Sequence, residues 1–61
     1  MKPKCELVGA NGNIFNLLAI ASQTLKRNDS KEDAKVMQKR VFACESYNEA
    51  LLIIGEYVDI Y

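Results

Sequence analysis

Lys4-Cys5-Glu6-Leu7-Val8-Gly9-Ala10-Asn11-Gly12-Asn13-Ile14 is the stretch that sets the architecture. Residues 4–8 read as a short strand of loose two-residue periodicity. Pro3 stands at its edge, where a missing N–H does least harm. Gly9 to Asn13 is the strongest turn signal in the chain: Asn11-Gly12 favours positive φ, and Gly9 permits a sharp exit from the strand. Asn13 is a good N-cap for whatever follows. A strand broken by a glycine turn and succeeded by a capped helix predicts an α+β chain.

Downstream the pattern is helical. Ile14, Leu17, Leu18, Ala21 and Leu25 recur at helical spacing and predict a helix over 14–27. Lys26 and Arg27 complement the negative end of its dipole, and Asn28-Asp29 breaks it. Ser30-Lys31-Glu32-Asp33 has the form of a capping box opening a second helix, with Ala34, Met37, Val41 and Cys44 on one face. Ser46-Tyr47-Asn48-Glu49 is a cleaner box, so a third helix starts at Tyr47. Its stripe is Tyr47, Ala50, Leu51, Ile54, Val58 and Tyr61.

Gly55 leaves two fates for the end of the chain. The helix can run to about Tyr57 with an extended tail, at a cost of about 1 kcal/mol for the glycine. Alternatively it stops there, and residues 56–61 form a strand. The first is favoured. The N-terminal strand needs a partner for its backbone, supplied by the C-terminal segment or by a second copy of the chain. The expectation is one small domain over residues 1–61: mostly helical α+β, with a short N-terminal strand, a glycine turn and a three-helix bundle, and a short C-terminal strand as the alternative for the tail.

Composition removes several function classes. There is no histidine, so the usual general base, the usual metal ligand and the Ser-His and Cys-His arrangements are missing. Two cysteines are too few for a four-ligand zinc cluster or a disulfide-rich secreted scaffold. Cys5 and Cys44 read as buried, reduced thiols, or as one bridge if their Cα atoms approach within about 7 Å. The glycine turn before the first helix lacks both the Walker A ending and the G-x-G-x-x-G pattern, so it reads as turn plus cap. The expectation is no enzyme, no catalytic residue, no cofactor and no metal. No apolar leader follows the basic start, and the longest apolar run, Ala50 to Ile54, is far short of the ~20 residues that cross a bilayer. A cytoplasmic protein with no membrane contact is expected.

Eight Lys/Arg balance eight Asp/Glu, yet the charges are unevenly placed. Residues 45–61 hold Glu45, Glu49, Glu56 and Asp59 and no basic residue; residues 1–44 hold eight basic and four acidic residues. The sections therefore carry −4 and +4, which reads either as a solvated acidic helix face or as a docking face for a basic partner or the opposite half of another copy.

The opening Glu6-Leu-Val-Gly-Ala-Asn-Gly-Asn-Ile-Phe15, the Leu25-Lys-Arg helix end and the acidic, aliphatic run from Tyr47 into an aromatic tail resemble small uncharacterised accessory proteins of phages and mobile elements in Gram-positive bacteria. The resemblance implies a cytoplasmic accessory protein with no assigned activity and no catalytic residues to carry over.

The surplus of apolar residues says more about function. With one stripe assigned per helix, Phe15, Ile20, Val36, Leu52 and Ile53 remain, and Phe42 is read as core. A 61-residue chain buries only about 60% of its unfolded surface, so these residues cannot all be interior. The reading is a non-enzymatic protein–protein interaction module that self-associates or binds another protein, with Ile20, Leu52, Ile53 and Tyr57 as adhesive residues. The alternative is a small nucleic-acid-binding regulator that uses Lys31, Lys35, Lys39 and Arg40, although zero net charge weakens it.

Overall fold

The computed structural model describes residues 2–61. Its elements run β1 (Lys4–Cys5), α1 (Ile14–Arg27), α2 (Lys31–Ala43), α3 (Tyr47–Tyr57) and β2 (Asp59–Ile60). The helix bounds follow from local signals. Asn13 caps α1, its Oδ1 accepting from the Phe15 N–H at 2.9 Å, while Asn11 Oδ1 accepts from the Asn13 N–H. Asn11 thus braces the cap through its side chain. The positive φ of the turn falls on Gly9, at +91°, and not at Asn11-Gly12 as expected.

Helix α1 ends with its carbonyls satisfied from the loop beyond. The Ser30 N–H donates to Leu25 O at 2.8 Å and the Asp29 N–H to Lys26 O at 3.2 Å, with Asp29 in the left-handed region at φ 59°. That geometry draws Ser30 into closing α1. Its hydroxyl makes no cap bond to α2, so the capping box expected there does not form. At α3 the Ser46 side chain does accept from the Glu49 N–H, at 3.1 Å. The Glu49 carboxylate reaches back to the Glu45 N–H, one residue before the cap, instead of to Ser46 itself.

The expected strand over 4–8 is shorter in fact. Only Lys4–Cys5 ladders with β2, in parallel, with Lys4 opposite Asp59 and Cys5 opposite Ile60. The chain already bends at Leu7 and Val8, whose N–H groups both donate to the Tyr61 carbonyl, and the Ala10 N–H donates to Leu7 O. Helix α3 continues through Gly55 to Tyr57, and the extended tail then pairs with β1. Parallel strands need a long crossover. Here the crossover is the whole helical bundle.

One core joins these parts. Leu17, Leu18, Ala21 and Leu25 of α1, Ala34, Met37 and Val41 of α2, and Ala50 and Ile54 of α3 are buried in it. Cys5, Leu7 and Val58 close its end. The two thiols are free; Cys5 is buried and Cys44 half-buried, so neither a bridge nor a fully buried pair forms. Ser22, the buried polar side chain, accepts from Gln38 Nε2 at 2.9 Å and ties α1 to α2. The Lys2 ammonium donates to Gly55 O at 2.9 Å, placing a cation at the negative end of α3, whose own last turn has none.

Two stability predictions follow from the caps and the glycine. Ser46→Ala should cost about 1 kcal/mol in urea unfolding, and Ser30→Ala no more than about 0.5 kcal/mol, because only Ser46 caps through its side chain. Gly55→Ala should stabilise by about 0.5–1 kcal/mol. The new methyl carbon would sit 3.8 Å from Ile60 Cδ1, an ordinary contact. A loss of stability on Gly55→Ala would show that the α3–β2 junction needs the smaller residue.

Candidate protein-interaction surface

Helical phase decides which apolar side chains leave the core. On α2 the inward residues are Ala34, Met37 and Val41, spaced by three and four. Phe42 is one residue past Val41, about 100° further round the helix, and points away from the core. It is 65% exposed, which corrects the expectation that it would be interior. Phe15, in the first turn of α1, is 63% exposed although it shares a face with the buried Leu18 and Ser22, three and seven residues further on. The two rings meet on the surface where α1 and α2 pack, with centroids 6.2 Å apart and planes inclined by 34°. This is the tilted arrangement aromatic pairs favour.

The pair stands at the edge of a hollow of about 330 Å³ whose floor is Ile14, Val41 and Ala50 and whose far wall is Tyr47. Tyr47 is held by its hydroxyl, which donates to Gly12 O in the turn before α1. The start of α3 is thereby locked to the start of α1. Glu45 and Cys44 complete the rim, the Cys44 thiol donating to Val41 O at 2.9 Å. On the other side of Phe42 a second hollow is lined by Glu32, Lys35, Val36, Gln38 and Lys39. Phe42 lines both, and so forms a ridge between them.

Leu52, one of the residues expected to be adhesive, is 72% exposed. Ile20, Ile53 and Tyr57 are half-buried and pack against the core, so their apolar surface is largely spent inside the molecule. Val8, at 74%, is the most exposed large apolar residue among the described residues. The exposed apolar surface thus includes Val8, Phe15, Phe42 and Leu52, and its clustered part is the aromatic ridge. Phe15 was in the apolar surplus of the sequence, and the phase of Phe42 against Val41 was the signal available for the ridge.

Of the basic residues singled out, Lys31, Lys35 and Lys39 are exposed along α2. Arg40 is engaged elsewhere. Its guanidinium donates to both oxygens of Glu56, at 2.8 and 3.0 Å, and to the Tyr57 hydroxyl at 3.0 Å. It also lies 5.7 Å from the centroid of the Tyr57 ring. Arg40 therefore clasps α2 to α3 and is not part of an open basic stripe. Among the described residues no cluster of three or more Cys, Asp or Glu is assembled to hold a metal, and no helix is long and apolar enough to cross a membrane. No family model, curated protein or solved structure matches the chain.

The clasp has a pH signature. The hydrogen bonds from Arg40, and secondarily its charge and that of Lys2, hold the Glu56 carboxyl below its ordinary range. A carboxylate depressed in the folded state adds stability above its unfolded value and loses it as pH falls through the folded one. The thermal stability of the wild type relative to Glu56→Gln should therefore be greatest near neutrality and shrink as pH falls through and below the usual carboxylate range. Melting curves over a pH series check this, and a difference that does not change with pH would contradict it.

Proposed function

We propose that this chain is a non-enzymatic protein–protein interaction module and that the ridge of Phe15 and Phe42, with its two flanking hollows, is its contact surface. The observation that carries the reading is two phenylalanines, each more than three-fifths exposed, touching one another on the surface of a fold with no shortage of compactness. The radius of gyration is 10.3 Å, against roughly 10.5 Å for a well-packed chain of this length. Loose packing is thus not what leaves these rings outside. Burying what remains exposed of each would gain about 1–2 kcal/mol, a drive to association. Aromatic anchors beside pockets and ringed by polar groups are the usual make-up of contact hot spots.

The lysines of α2 act in this reading as the polar rim of the ridge and not as a nucleic-acid stripe, since Arg40 is committed to Glu56. A cytoplasmic setting, where free thiols persist, suits Cys5 and Cys44. An accessory protein of a phage or mobile element, as the resemblance implies, would act in this way by docking and not by catalysis.

The test is amide-resolved NMR with small aromatic probes such as phenol and indole, which collect at contact hot spots. Shift changes should concentrate on Phe15, Phe42, Tyr47 and their neighbours and fall away in Phe42→Asp. Changes spread evenly over the surface, or centred on Val8 or Leu52, would remove the ridge from consideration.

A further inference from the structure

We infer that the occupant of the ridge is a second copy of this chain, related to the first by a two-fold axis that passes close to Phe42. This rests on the ridge being a contact surface, and it adds what the ridge contacts. The argument is the placement of charge on the two sides of Phe42. At 1.5 Å per residue, Lys39 lies about 5 Å and Lys35 about 10 Å before Phe42 along the helix axis. Glu45 lies on the opposite side, in the link beyond the end of α2, on the rim of the other hollow. The ridge therefore has a basic flank and an acidic flank.

A two-fold axis through the ridge exchanges the flanks. The basic side of one copy then faces the acidic side of the other, twice over, as an isologous interface requires. Lys39 lines one hollow beside Phe42 and Glu45 the other, so they are the pair such an axis brings together. The same operation lays α2 antiparallel to its copy. It also sets the two Phe42 rings side by side across the axis. Like-charged flanks would repel a second copy; these attract one. Glu32, at the outer end of the basic hollow, offsets one of its two lysines and leaves the flank net positive.

Size points the same way. A stable interface takes about 800 Å² per partner, roughly a fifth of the 4235 Å² exposed here. Two aromatic rings do not supply that, so a partner must also cover Val36, Tyr47 and the charged flanks. A surface on which apolar centre and charged flanks are all matched by itself fits its own copy better than a partner of single charge. The zero net charge of the chain removes the long-range repulsion that opposes such pairing.

Sedimentation equilibrium on the full chain tests this, with circular dichroism to verify folding of each variant. The wild type should be a monomer–dimer system weakened by salt. Lys39→Glu and Glu45→Arg should each weaken the dimer by about tenfold or more, since each puts like charges together twice. The double variant, and an equimolar mixture of the two single variants, should recover affinity to within about threefold of wild type. Phe42→Asp should abolish the dimer.

A wild-type chain that stays monomeric to about 1 mM, a dimer indifferent to both charge reversals and to Phe42→Asp, or a double variant that does not recover would each overturn the inference. Growth beyond the dimer would overturn the two-fold axis in favour of head-to-tail contact. A monomer whose ridge still collects the aromatic probes would sink the second copy alone and leave the ridge as a contact surface for another protein.

Discussion

The pairing of the two ends of the chain is the constraint on which the structure depends. Lys4–Cys5 and Asp59–Ile60 lie side by side in parallel, and everything between them must fit a path that returns to its starting edge in the same direction. The contact is short but well tied. The Asp59 N–H donates to Pro3 O, the Tyr61 N–H to Cys5 O, and the Leu7 and Val8 N–H groups to Tyr61 O. Lys2 adds its ammonium to the end of α3. Cys5 and Val58 are buried at this seam, so the two paired segments seal one end of the core.

That closure has a consequence for the rest of the surface. With the seam and the three buried stripes in place the core is full, centred on Leu25, Met37 and Ile54. Further apolar side chains have nowhere to go but outward or into partial cover. Ile20, Ile53 and Tyr57 take partial cover against the core. Phe42 cannot, because its helical phase carries it off the buried face of α2, and Phe15, in the first turn of α1, meets it outside the core. The clasp from Arg40 to Glu56 and Tyr57 links α2 to α3. The same clasp takes the one arginine of α2 out of the basic face and leaves its lysines as a flank.

Much of the helical part was legible without coordinates. Asn13, Ser46 and the apolar periodicity marked α1 and the start of α3, since a cap and a buried stripe are settled within a few residues of one another. Ser30 shows where such signals fail. The same side chain type in the same pattern does not cap α2, because the backbone of Ser30 is held to Leu25 in closing α1. The exposed apolar surface was half legible. The apolar surplus announced that some surface would be sticky, but the prior that phenylalanine is buried hid Phe42, and counting hydrophobic residues could not tell Leu52, which is exposed, from Ile20 and Ile53, which are not.

The amino-acid order by itself determined the three helices, the turn ahead of the first, the uneven division of charge and an excess of apolar side chains over what so short a chain can hide. These are local or additive properties, set by neighbours along the backbone or by composition. Only the tertiary structure decided that the first strand takes the tail of its own chain as partner, that Arg40 turns to Glu56, and that Phe15 and Phe42 meet outside the core. Each of these depends on residues separated by a helix or more. Their meeting is fixed by how the buried stripes dock together, and no window along the sequence contains that information.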